Sequence, residues 1–222
     1  MRKEVKILGA IAAVVIIVAG IGAYFYQNPS QTERKSKQSE SKPALTANDP
    51  RLVGQNSPTL GSANAPATLV EFFDPECEAC RAFNPTIKKI LKDYEGKVRL
   101  IVRYMPLHQN SMLAAQVLEA AAEQGKFWQM QELLFQRQPE WGEKREPQNA
   151  LFEKYAAEIG MNVEQMNAAI AQNRYAPKIG RDKADGQSIG VNSTPTIFVN
   201  GKRLPGIDEQ ILRSMIDEEL RK

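Results

Sequence analysis

Soft metal ligands are scarce in this chain: two cysteines and one histidine, besides scattered methionines, in 222 residues. A zinc centre asks for about four ligands, and Cys77, Cys80 and His108 fall short of that. A basic surface is missing as well. The formal charge is +3, but residues 1–43 carry seven Lys/Arg against three Asp/Glu, which leaves 22 basic and 23 acidic residues for the remainder. The folded part is therefore close to neutral, with no basic stripe and interleaved aromatics, and nucleic acid is excluded as an expected partner. No internal repeat is visible.

Charge is absent altogether from residues 7–26, twenty positions in a row. At 1.5 Å per residue, a helix of that size spans a hydrocarbon core of about 30 Å. Arg2, Lys3 and Lys6 precede it closely and the next basic residue is Arg34, which favours a cytoplasmic N-terminus over residues 1–6. Tyr24, Phe25 and Tyr26 fit an aromatic belt at the far interface. A cleaved signal peptide is the alternative; its apolar core would be shorter, about 7–15 residues, so the length here favours an uncleaved transmembrane signal-anchor. Large apolar residues are sparse over residues 27–56, a stretch rich in Gln, Ser, Lys, Glu and Pro that reads as a disordered tether. The folded domain is expected over 57–222, a length that supports one substantial core.

Within that domain, A-T-L-V-E-F-F at 67–73 reads as a buried strand, and K-V-R-L-I-V-R at 97–103 as a second. Between them a helix starts at the cysteines and runs to about Tyr94, with Ile87, Ile90 and Leu91 on one face and Pro85 expected to kink it. A block of helices follows. Ser111 is placed as the cap of a helix over 112–124, and further helices are expected over 126–136 and 147–159. Asn162 with Gln165 resembles a capping box for 163–172, and a last helix of the block is interrupted by Gly180 and Gly186. Asn200-Gly201 is the strongest short-range hairpin signal in the chain. Asp208 is expected to cap a final helix with Ile211, Leu212, Met215 and Leu220 inward. The order is that of an α/β sheet domain carrying a helical insertion at about 107–190, preceded by one transmembrane helix.

D-P-E-C-E-A-C holds both cysteines, at 77 and 80. A Cys-x-x-Cys that opens a helix after a strand suits redox chemistry. The first thiol meets the free N–H groups and the dipole of the helix start, which favour its thiolate. The second lies one turn further in, within reach for a disulfide. A structural disulfide closing so small a loop would constrain little of the unfolded chain; two inert buried thiols are the third alternative. The redox reading is favoured. His108 reads as a surface loop residue, and Phe127 and Trp128 as packing for the helical block. Trp141, between Glu140 and Gly142, is a weaker candidate for an exposed contact with substrate.

C-E-A-C-R-A-F-N-P, with V-N-S-T-P-T-I-F-V-N-G downstream and G-K-F-W-Q-M-Q-E-L-L-F between, resembles the DsbA-like thiol:disulfide oxidoreductases of the thioredoxin superfamily over about 61–220. The resemblance implies a thioredoxin-like fold with a helical insertion. It implies Cys77 as the exposed nucleophile, Cys80 as the resolving thiol, and Pro195 as a cis residue, preceded by Thr194, lying against them. It implies no cofactor beyond the Cys77–Cys80 redox pair and no metal. The expected partners are proteins with thiols or disulfides and a membrane redox protein. The expected location is the bacterial cell membrane, single-pass, with the catalytic domain periplasmic or extracellular.

Glu78 and Ala79 depart from the proline and histidine that DsbA has between its cysteines. Carboxylates at Glu78 and Glu76 are expected to oppose the Cys77 thiolate and raise its pKa, giving a milder oxidant or a protein kept reduced; stabilising the helix start is the alternative reason for them. Disulfide formation is the leading function. A reductase, or a tethered module binding a metal or a peptide, are the alternatives. An isomerase is disfavoured because the tether has no room for a dimerisation domain.

Overall fold

The computed structural model describes residues 44–222, together with Ile21. The chain divides into two units, Met1–Ala44 and Leu45–Lys222, of which the second is described below. The transmembrane segment expected over 7–26 lies outside the described residues except for Ile21, and so does the tether as far as residue 43. Among the described residues no helix is long and apolar enough to cross a membrane.

The second unit opens with a short helix, α1 (Pro50–Val53), and an edge strand, β1 (Thr59–Leu60). The central strand β2 (Ala67–Phe73) leads into α2 (Glu78–Asp93) and then β3 (Val98–Tyr104). The helical block follows as α3 (Ser111–Glu123), α4 (Phe127–Gln136), α5 (Gln138–Trp141), α6 (Asn149–Glu158), α7 (Val163–Ala171) and α8 (Ala176–Ser188). The hairpin β4 (Thr196–Val199) and β5 (Lys202–Arg203) and the helix α9 (Glu209–Leu220) complete it. The sheet runs β1-β3-β2-β4-β5. β2 is parallel to β3 and antiparallel to β4, so the sheet is mixed, with β2 in the middle.

Every residue of β2 is buried, as expected for a strand covered on both faces. Alternation then sorts the side chains. Leu69 and Phe73 face one core with Leu100, Val102, Ile197 and Val199, while Val70 and Phe72 face a second with Ile101 and Phe198. Glu71 shares the parity of Leu69 and Phe73, so its carboxylate lies on the first face, where Cys77 and Cys80 also pack.

The second core is closed by a segment expected to be tether. From Leu45 the chain belongs to the compact unit, and Leu52 is fully buried against Val70, Phe72 and Ile101. Asp49 caps α1, accepting from Arg51 N–H at 2.9 Å. Arg103, of the same parity as Ile101, is buried under this strap: it donates to Asp182 at 2.9 Å, Asp185 at 2.7 Å and the Arg51 carbonyl at 2.8 Å. Few large apolar residues occur in the segment, and three of them, Leu45, Leu52 and Val53, pack in this second core.

Four further expectations are corrected. Ser111 is the first residue of α3 and not its cap; Asn110 holds that position. α8 runs through Gly180 and Gly186 without interruption. Gly186 is needed there, because a Cβ would meet the Phe72 ring at 2.9 Å. Ile211 is exposed, and Ile216 takes the inward place beside Leu212 on α9. Trp141 is fully buried and donates from Nε1 to the Leu134 carbonyl at 3.0 Å, so it contacts no substrate.

Candidate active site

β2 ends at Phe73, and the next four residues turn the chain so that Cys77 becomes the N-cap of α2, with its N–H donating to the Asp74 carbonyl at 3.1 Å. Two buried carboxylates build this turn. Asp74 accepts from Glu76 N–H at 2.8 Å, Leu107 N–H at 2.7 Å and the Ser111 hydroxyl, and lies 2.7 Å from His108 Nδ1. Glu76 accepts from Asn110 N–H at 2.6 Å and Glu143 N–H at 2.8 Å. Gln138 on α5 donates to the carbonyls of Pro75 and Cys77 at 3.0 and 3.2 Å. The turn is thus fastened to the β3–α3 loop and to the segment after α5, which answers why acids surround the motif. A buried carboxylate that receives several backbone N–H groups is compensated locally.

The two cysteines are free thiols with unlike surroundings. Cys77 is 7% exposed and Cys80 fully buried. The Cys77 thiol is lowered to about 5, chiefly by the Cys80 thiol donating to it; burial opposes this, and the Thr194 side chain and the N–H groups of Cys80 and Ala79 add to it. Burial pushes Cys80 well above its usual value, and the bond to Cys77 and the nearby Glu71 and Cys77 charges push it further. One sulfur is an anion at neutral pH and the other holds its proton.

The structure brings Thr194 and Pro195 to this pair. The Thr194–Pro195 bond is cis, and Cys77 Sγ lies 3.3 Å from the Thr194 carbonyl oxygen, a bond that only the protonated thiol can donate. Glu78 is exposed on the first turn of α2, and neither it nor Glu76 is among the groups that act most strongly on Cys77. The net direction of the Cys77 pKa is down, set by the Cys80 thiol and the N–H groups at the start of α2. Replacing Glu78 with Gln should move the thiolate midpoint, read by absorbance against pH, by less than about 0.3 units, because water and salt screen an exposed charge. A fall of a full unit would restore Glu78 as a modulator.

The acid that does couple to the pair is Glu71, which sequence reading passed over. Burial raises it to about 8, with the Cys77 charge adding to the rise. Its signal was present: a lone carboxylate inside a mostly apolar, buried strand is costly and rarely kept fully buried without a partner. Beside the cysteines lies a polar cleft of about 280 Å³ lined by Glu78, Arg81, Gln138, Glu143 and Lys144. Among the described residues no group of His, Cys, Asp and Glu is placed to hold a metal ion.

A family model described as thioredoxin matches residues 54–218. The chain belongs to the thioredoxin family. Its structure is similar to that of BdbD from Bacillus subtilis, at 28% identity and a TM-score of 0.70, covering 82% of this chain and 100% of that one. Alpha-DsbA2 from Wolbachia pipientis, a thiol-disulfide exchange protein, shares the fold at 23% identity and a TM-score of 0.65, over 76% of this chain and 90% of that one. The DsbA-like resemblance of the sequence is thus matched by the fold, helical insertion included. Among curated proteins, the Na(+)/H(+) antiporter NhaA 3 of Salinispora tropica is 37% identical over 149 residues, which is 66% of this chain and 22% of the antiporter. The chain spans about a fifth of the length of that relative.

Proposed function

We propose that this chain is a protein thiol:disulfide oxidoreductase that donates its Cys77–Cys80 disulfide to thiols of extracytoplasmic proteins. One observation carries the reading: the thiol near the surface is lowered to about 5 while its buried neighbour is pushed well above the usual range. In the donating direction a substrate thiolate attacks Cys77 Sγ, forming a mixed disulfide and expelling Cys80 as a thiolate. Cys80 takes a proton from Glu71, which burial keeps protonated near neutrality. A second substrate thiolate then attacks its own sulfur in the mixed disulfide and expels Cys77. A leaving thiol of low pKa departs readily, so the step runs toward oxidised substrate. Glu71 then takes a proton from water, favoured by its burial and by the new Cys77 charge.

The Thr194 carbonyl and the Cys77 turn offer an edge along which an extended substrate segment can lie. Membrane attachment through residues 7–26, a periplasmic or outer-surface location and a membrane redox partner that reoxidises the pair belong to the same proposal; the uncharged run near the N-terminus supports them. Oxidative refolding of a reduced, disulfide-containing protein tests the activity. The wild-type chain should accelerate disulfide formation, and Cys77→Ser should reduce it to the uncatalysed background. Equal rates with both would refute the proposal.

A further inference from the structure

The single histidine of the chain takes no part in the steps above, yet it is built into the turn that presents Cys77. His108 follows β3, its side chain about half exposed, with Nδ1 2.7 Å from Asp74 Oδ2. Its N–H donates to Ser111 Oγ, and Ser111 donates to the same Asp74 carboxylate. Asp74 also accepts Glu76 N–H on Oδ1 and Cys77 N–H on its carbonyl. One fully buried carboxylate therefore joins the imidazole to the backbone that carries the nucleophile.

The charged groups around the ring are Asp74 at the end of β2 and Glu76 and Cys77 on the turn. From α8, Lys183 Nζ donates to the carbonyl of Pro106, two residues before the histidine. Burial weakens the hold of the imidazole on its proton; the Asp74 bond and the Asp74, Cys77 and Glu76 charges strengthen it, and the net direction is up. Of these neighbours, Cys77 alone changes charge with redox state, being a thiolate in the dithiol and a neutral sulfur in the disulfide.

We propose that His108 is a positioning residue whose proton follows the redox state of the cysteine pair, held as imidazolium in the dithiol protein and released on formation of the Cys77–Cys80 disulfide. The inference rests on the oxidoreductase reading above. Coupling between two sites is reciprocal, so the thiolate that favours the proton on His108 gains from the imidazolium in turn, by less than it gains from the Cys80 thiol and the N–H groups of Cys80 and Ala79 that hold Cys77 down. When an incoming disulfide oxidises the pair, the Cys77–Cys80 bond forms, the incoming S–S bond breaks and two electrons pass to its sulfurs. The Cys80 proton goes to one departing sulfur, and the proton released by His108 goes to the other or to water.

Because His108 is the sole histidine, NMR of the full chain reads its ring protons without ambiguity. Titrated in the chemically reduced and oxidised protein, the imidazole should change protonation about one unit higher in the dithiol form, the scale that one neighbouring charge supplies. Coincident curves would overturn the inference. In His108→Asn the Cys77 thiolate midpoint should rise, by less than loss of the Cys80 thiol produces, and an unchanged midpoint would overturn the inference as well. Neither readout uses a protein substrate. A chain that shows the shift but catalyses no exchange would leave this inference standing and refute the functional reading; an active chain without the shift would do the reverse.

Discussion

In Cys80→Ala, catalysed disulfide formation should fall to background, and Cys77 should accumulate as a mixed disulfide when the protein meets a disulfide-containing peptide. Cys80 has two jobs in the structure, and the substitution removes both. As the second sulfur of the pair it resolves the mixed species, which otherwise persists. As the donor to Cys77 it is the largest contributor to lowering that thiol. A hydrogen bond to a charged group contributes about 1.5–3 kcal/mol, so the Cys77 midpoint should rise by about one to two units. The site is fully buried but the change is small, so the fold should survive. Mass spectrometry under non-reducing conditions reads the trapped adduct and thiolate absorbance reads the midpoint. A variant that turns over, or a midpoint that stays near 5, would contradict the assigned roles.

Arg103→Met should destabilise the domain by about 3–5 kcal/mol, the usual cost of stranding a buried charge. Arg103 is 1% exposed, and its guanidinium neutralises Asp182 while binding the carbonyl of Arg51 and lying 5.5 Å from the Phe72 ring centroid. Without it Asp182 loses the charge that offsets its burial, which already raises its pKa, and the strap loses its anchor. Urea unfolding measures the loss. Adding Asp182→Leu should recover much of it, since an apolar pair can replace a buried ion pair at little net cost. A single variant as stable as wild type would show that the strap is held by Leu52 alone.

How far the sequence reached can be seen residue by residue. The run 67–73 was legible as β2 because an apolar, β-rich stretch of that length ending at Asp74-Pro75 has few other solutions. The turn at Asn200-Gly201 was legible too, and both residues adopt the positive φ, 46° and 88°, that such a hairpin turn requires. Asn162 accepts from Gln165 N–H as expected of a cap, but its own N–H is bound by Gln124 from the end of α3, so the reciprocal half of the box is supplied from afar. Apart from local slips such as the Ser111 cap, what failed was long-range. Asp74 and His108 stand 34 residues apart, and nothing local announces that they meet. Trp141 looked exposed because charged and small residues flank it, whereas Phe152 packs against it edge-on at 5.1 Å. The acids of the motif were read by their proximity in sequence to the thiol. For Asp74 and Glu76 the partners in space include backbone N–H groups, which gives these two acids a role in building the turn.

The central claim is that the pair is poised to give its disulfide away, and the reduction potential of Cys77–Cys80 tests it most directly. A thiol lowered to about 5 in the folded chain is stabilised as the thiolate at all pH values above that. This favours the dithiol protein; the contribution is complete above the ordinary thiol value and is lost as pH falls through about 5. Stabilising the reduced form raises the potential. Equilibrated at neutral pH with mixtures of reduced and oxidised glutathione, the pair should show a potential between about −230 and −120 mV, on the oxidising side of thioredoxin at about −270 mV. A value at or below about −270 mV would contradict the account and mark the chain as a reductant.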